Sequence, residues 1–231
     1  MSRIGIITGM RVEAQCLAAA LAAIPDKHQP LTYCAGANAE RAYHGALELV
    51  AEGAVALLSI GIAGGLDAAL RPGDIVLPDI IIGAAAGPRI ACAEWHAAVM
   101  QEMPKAAIGT LLAARQPIRT VAEKAALRAA SGALAIDMES GAVAEAAVEA
   151  DLPFLALRII ADPADRTIPQ AALHGIAPDG SRRPWAVLRE LLMRPTDLPP
   201  LIQLARDSDA ALRQLRRVAL LGSALFAPPP R

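Results

Sequence analysis

Residues 55–65 read Val-Ala-Leu-Leu-Ser-Ile-Gly-Ile-Ala-Gly-Gly: a largely apolar run, Val55 to Ile60, that passes into a cluster of glycines. A strand with one wet face alternates apolar and polar residues, whereas an unbroken apolar run belongs to a strand covered on both faces. The same signature recurs on either side. Arg3 to Thr8 (RIGIIT) is a short buried-type strand ending at Gly9, and Glu13 to Ala23 then has helix-forming composition, stopped by Pro25. Leu31 to Ala35 reads as a strand, and Glu40 to Glu52 as a helix closed by Gly53. Downstream, Gly73 to Ile82 reads as one strand with Asp74 and Asp79 at its margins. Leu134 to Ile136 is a strand leading into a helix over Met138 to Ala150, and Phe154 to Ile160 is a further apolar strand ending at Ala161-Asp162. Buried strands alternating with alanine-rich helices predict a three-layer α/β/α fold with a mixed, largely parallel central sheet.

Composition limits what such a fold does. With 231 residues, 55% of them hydrophobic, the chain is expected to form a single domain over 1–231 without disulfide or metal staples. Twenty-two basic residues against 23 acidic ones give a net charge of −1, so no global field marks nucleic acid as a partner. Six aromatic residues are too few to build a base-stacking platform. Cys16, Cys34 and Cys92 stand far apart with no zinc-type spacing, which fits reduced thiols in the cytoplasm and no metal site. Leu17 to Ala23 resembles the core of a signal peptide, but Arg11, Glu13 and Gln15 interrupt it, so no leader is expected. No stretch reaches the ~20 apolar residues a spanning helix needs.

The charge is unevenly spread. Residues 181–231 hold nine arginines and four acids, while residues 1–180 hold 13 basic and 19 acidic residues, a split of +5 against −6. Pro184 to Met193 reads as a helix. A second, starting at Asp209, sets Ala211, Leu212, Leu215, Val218, Ala219 and Gly222 on one side and Arg213, Arg216 and Arg217 near the other. This tail is read as a basic helical extension packed on the sheet; its other reading is an amphipathic surface in peripheral contact with a membrane.

Ligands of open α/β sheets bind at the carboxyl ends of the strands, and four segments place chemistry there: Thr8 to Glu13, Gly61 to Gly65, Asp137 to Ser140, and Ala161 to Pro163. The glycine cluster lacks the dinucleotide-binding spacing. In order, however, IGIITGMRVEA (4–14), SIGIAGGLDAALRPGDIVLPD (59–79), AIDMESGAVAEAA (135–147) and FLALRIIADPAD (154–165) resemble the nucleoside phosphorylase and nucleosidase superfamily, including the branch that cleaves methylthioadenosine and adenosylhomocysteine. This resemblance covers roughly residues 3–165, with gaps around 84 to 130. In whole-chain length, in Ile62 of the glycine cluster and in the arginine-rich tail the chain looks closer still to hopanoid-associated phosphorylases, which are implicated in removing adenine from adenosylhopane. The resemblance implies a homo-oligomeric enzyme acting on an adenosyl compound, with phosphate as co-substrate and no other cofactor.

Cleaving an N-glycosidic bond builds positive charge on the sugar and negative charge on the purine, so an acid must meet the base and a carboxylate must hold the ribose. By resemblance Asp162 is the acid, with burial raising its pKa. Glu139 binds the ribose hydroxyls, ionised by the start of its helix. Met138, Ile62 and Gly64 line the substrate site, and Glu13 orients the nucleophile. Arg11, beside Gly9, has the forked donors that suit phosphate, with Arg41 as a second candidate. Ile62 departs from the small hydroxyl residue usual in the family. Water in place of phosphate, or a non-catalytic nucleoside-binding protein, are the alternatives. His28, His44, His96 and His174 form no cluster, Arg119 and Lys124 have no assigned role, and Trp95 and Trp185 are read as packing or as the lining of an apolar entrance.

Overall fold

The computed structural model describes residues 3–83, 87–173, 175, 177, 180, 181 and 183–229; His174 lies outside them. The chain opens with β1 (Arg3–Thr8), α1 (Arg11–Ala22), β2 (Leu31–Cys34), α2 (Ala39–Ala51) and β3 (Ala54–Gly65). Short strands β4 (Ile75–Val76), β5 (Ile80–Ile82) and β6 (Arg89–Ile90) precede α3 (Ala93–Glu102), β7 (Thr110–Ala113) and α4 (Val121–Ser131). Then come β8 (Ala135–Asp137), α5 (Ser140–Glu149) and β9 (Phe154–Asp162), followed by helices α6 (Gln170–Leu173), α7 (Pro184–Met193), α8 (Leu198–Leu221) and α9 (Ser223–Phe226).

One mixed sheet carries all these strands, in the order β2-β1-β3-β8-β7-β5-β6, with β9 on the other side of β3 and β4 beyond it. The β1–β2, β1–β3, β3–β9, β5–β7 and β7–β8 pairs are parallel; β3–β8, β4–β9 and β5–β6 are antiparallel. Side chains alternate along β9, so Leu155, Leu157 and Ile159 join one hydrophobic cluster while Phe154, Ala156 and Ile160 join the other. The first cluster takes in Leu17, Trp95, Leu215 and Phe226 from α1, α3, α8 and α9; the second takes in Ala46, Val143 and Ala147 from α2 and α5. Helices therefore cover both faces, as the unbroken apolar runs predict.

Several boundaries differ from the sequence expectation. The glycines 61–65 do not follow the strand but extend it, since β3 runs to Gly65. Gly73 to Ile82 is two strands, because Pro78 has no N–H to give a ladder. Helix α8 begins eleven residues before Asp209, with Pro199 and Pro200 in its first turn, where no intrahelical N–H is lost. Its apolar side (Ala211, Leu212, Leu215, Val218 and Ala219) is buried against α1 and β9, with Arg213, Arg216 and Arg217 exposed. That side is thus not available to a membrane. Trp95 is a packed core residue whose indole N–H donates to the Ala224 carbonyl at 2.9 Å. Trp185, by contrast, is exposed. Cys16 is buried and Cys34 and Cys92 are half-buried, with no disulfide among the described residues.

Candidate active site

The site arises because β3 is longer than its neighbour. The β1 ladder on β3 ends at Ile7 opposite Ser59, and on the same side β8 runs antiparallel to the far end of β3, with Gly64 opposite Ile136 and Gly65 opposite Ala135. The carboxyl ends of β1 and β8 therefore converge on the middle of β3. On its other side β9 follows β3 up to the Gly64–Asp162 pair. All four segments singled out in the sequence meet at this junction.

Glu13, from the first turn of α1, is buried, and its carboxyl is held from two directions: Met10 N–H donates to Oε2 at 2.7 Å and Ile62 N–H to Oε1 at 2.8 Å. Burial raises its pKa, against the lowering effect of these bonds and of Arg158. Glu139 stands at the N-cap of α5 and is also buried. Its carboxyl is pushed up to about 8, by burial first and then by Asp137 and Glu13, with Arg158 opposing. The expectation that the helix start would keep Glu139 ionised does not hold: Asp137 Oδ2 accepts the Ser140 N–H at 2.9 Å, and Glu139 makes no cap bond. Glycines make room for these groups. A Cβ on Gly9 would lie 2.6 Å from Glu139 Oε1, and one on Gly61 would lie 2.7 Å from Glu13 Oε1.

Arg158, in the middle of β9, ties the cluster together. Its Nε and Nη2 donate to Asp137 Oδ2 at 2.8 and 2.5 Å, Nη2 reaches Ser59 Oγ at 2.7 Å, and Glu139 Oε2 is 3.8 Å away. The guanidinium is 1% exposed, so this is a desolvated ion pair. Asp137 Oδ1 and Thr8 Oγ1 are buried without a hydrogen-bond partner.

Asp162 closes β9 on the opposite side of β3. Fully buried Lys124 donates to its Oδ2 at 2.7 Å, and also meets the carbonyls of Asp162, Pro163 and Arg166 at 3.1, 2.9 and 3.1 Å. Burial raises the Asp162 pKa, partly offset by the Lys124 charge. Both carboxylate oxygens would lie 3.3 Å from a Cβ on Gly64.

Half-buried Met138 and Ile62 flank these groups in sequence, and the Ile62 side chain packs on the apolar core. Arg11 is exposed and its N–H donates to the Gly180 carbonyl at 3.2 Å. Arg41 is half-buried in the first turn of α2, whose approach is tied to the junction by an Ala37 N–H bond to the Gly9 carbonyl at 2.8 Å. The backbone donors of Met10, Arg11 and Ile62 are therefore already engaged by Glu13 and Gly180.

Sequence reasoning gave Arg158, Asp137 and Lys124 no role. For Arg158 a signal exists: a cation inside a fully buried strand requires an opposing charge. For Lys124 the Thr120–Glu123 capping box and left-handed Gly132 mark its helix. Its partner lies 38 residues away, beyond any local pattern. Among the described residues no group of His, Cys, Asp and Glu is arranged to hold a metal ion. A hollow of about 610 Å³ between α1 and α8–α9, lined in part by Ile24, His28 and Phe226, includes none of the cluster's residues.

With this geometry in place, comparison with known proteins gives three results. The sequence model described as "Phosphorylase superfamily" matches residues 27–192. No curated protein sequence matches the chain. Solved structures do. Futalosine hydrolase of Helicobacter pylori is 16% identical over 97% of each chain, with a TM-score of 0.72. The methylthioadenosine/adenosylhomocysteine nucleosidase of Colwellia psychrerythraea 34H, in complex with adenine, is 18% identical over 97% of this chain and 93% of that chain, with a TM-score of 0.67. The adenosylhomocysteine nucleosidase of Streptococcus pyogenes, in complex with 5-methylthiotubericidin, is 23% identical over 71% of this chain and 85% of that chain, with a TM-score of 0.64. At such identities the likeness establishes the three-layer fold.

Proposed function

Because the chain belongs to the phosphorylase superfamily, we propose that it cleaves the N-glycosidic bond of an adenosyl compound and releases adenine. The observation that carries this reading is the placement of Asp162 and Glu139: two buried carboxyls with raised pKa on opposite sides of β3, each cleared by a glycine. Asp162 meets the imidazole-ring nitrogen of the departing purine. Lys124 occupies Oδ2 and leaves Oδ1 for the base, and the raised pKa suits a group that shares a proton. Glu139 receives the ribose hydroxyls, and the approach of their O–H groups stabilises its ionised form. Met138, Ile62 and Gly64 form the wall of the sugar site. The adenine held by the Colwellia nucleosidase supports adenine as the leaving base.

The finer reading is phosphorolysis of adenosylhopane, giving a ribose-phosphate product, with Arg11, Arg41 and the Gly9 turn receiving phosphate and no other cofactor. Its support is the resemblance in chain length, in Ile62 and in the arginine-rich tail, together with Arg11 beside the Gly9 turn at the junction. A second reading, hydrolysis, is favoured by one specific observation: the carboxylate of Glu13 already takes the Met10 and Ile62 N–H groups that an incoming phosphate would use. In that reading Glu13 orients a water.

Adenine release from methylthioadenosine and from an adenosyl lipid, each with and without phosphate, tests both. Phosphate-dependent release from the lipid, with a ribose-phosphate product, is expected. Equal rates without phosphate would establish water as the nucleophile. Tight adenosine-analogue binding with no adenine release from either compound would overturn the enzyme reading.

A further inference from the structure

An amphipathic helix ordinarily turns its apolar stripe toward the core. Helix α7 does the reverse. Trp185, Leu188, Leu192 and Met193 fall at positions i, i+3, i+7 and i+8, one face of the helix, and all four are exposed: Trp185 at 80%, Leu192 and Met193 at 78% each. No residue of α7 is buried. The next helix also opens with exposed apolar side chains, Leu198 and Ile202. Water-facing apolar stripes of this kind mark a surface that meets something else.

The charges say what. Across residues 183–206 the exposed ionic side chains are Arg183, Arg189, Arg194 and Arg206. The two acids of this stretch are half-buried: Glu190 lies 3.6 Å from Arg189, and Asp197 accepts the Ala171 N–H. A second copy of the chain docking face to face about a twofold axis would bring arginines against arginines. An anionic lipid surface neutralises them while taking up the tryptophan and leucines at its headgroup boundary.

We propose that α7, with the first turns of α8, is a docking surface for anionic lipid membranes. The helix lies in the plane of the interface, with Trp185, Leu188, Leu192 and Met193 immersed and the arginines against the headgroups. No helix among the described residues is long and apolar enough to cross a membrane, so the association is peripheral. The proposal holds whichever nucleoside and nucleophile the site uses.

The chain carries its own probe, because one of its two tryptophans, Trp95, is buried in the core and the other, Trp185, lies on the stripe. The full chain is mixed with vesicles of equal parts phosphatidylglycerol and phosphatidylcholine, and with vesicles of phosphatidylcholine alone. Expected are a blue shift of tryptophan emission and co-sedimentation with the anionic vesicles, at least about tenfold weaker on the neutral ones and weakened by salt. Leu192→Glu lowers binding about tenfold or more, since it removes an apolar side chain that the bilayer would take up and adds a repelled charge. Its circular dichroism stays unchanged, because Leu192 touches no core. Absence of the shift and of co-sedimentation overturns the proposal, as does equal binding by Leu192→Glu. So does a dimer in solution that Leu192→Glu dissociates, which would assign the face to a second copy.

Discussion

A methyl group on Gly9 would press on Glu139, and the same holds at Gly61 for Glu13 and at Gly64 for Asp162. At the scale of single residues, then, the site consists of carboxyls laid against bare backbone. The group that should matter most to turnover is Asp162. Asp162→Asn keeps the shape and a carbonyl oxygen for Lys124 but cannot share a proton with the purine. We expect adenine release to fall about 10²–10⁴-fold and stability to drop by about 1–3 kcal/mol, because Lys124 loses its counter-charge. Steady-state rates and urea unfolding on the same preparation separate the two effects, and a fully active variant would remove Asp162 as the acid. Asp162, Glu139 and Glu13 were legible because they sit in contiguous motifs at strand ends. Arg158 and Lys124 were not, since what gives each its meaning is a partner brought close only by the tertiary fold.

Among the elements, β9 does two jobs: all nine of its residues are buried, and its centre carries a charge. Removing one partner of a buried ion pair leaves the other uncompensated, so Arg158→Met should cost about 3–5 kcal/mol. Adding Asp137→Asn to it should recover part of that loss. A double variant no more stable than Arg158→Met would show that the pair is not the source of the cost. Continuous apolar strands made β1, β3 and β9 easy to read. Among the described residues of 87–131 are two strands of two and four residues, too short for periodicity to declare, and two helices, of which α4 carries a capping box and a left-handed Gly132 as its only clear local marks. The exposed stripe of α7 was illegible for a different reason: the pattern of an outward-facing apolar helix is identical to that of an inward-facing one, and only packing distinguishes them.

For the molecule as a whole, the raised carboxyls set how stability follows pH. Glu139 titrates near 8 in the fold and near 4.5 when unfolded, and Glu13 and Asp162 are shifted in the same direction. Over the interval between these values the folded chain holds more protons than the unfolded one, so stability is greatest below the unfolded pKa and falls as pH rises through the folded one. Urea unfolding at a series of pH values from about 5 to about 8 should show this decline, and Glu139→Gln, fixed in the neutral state, should flatten it. An unchanged slope in Glu139→Gln would mean that Glu139 is not the group responsible.

The glycine stretch of β3 has one more consequence. A site is usually described by its functional groups, but this one is equally a casting, its contour set by methyl groups the chain omits at Gly9, Gly61 and Gly64. Positions that carry no functional group hold the mould, so a sequence can retain every charged residue of the site and still lose it to a single added carbon.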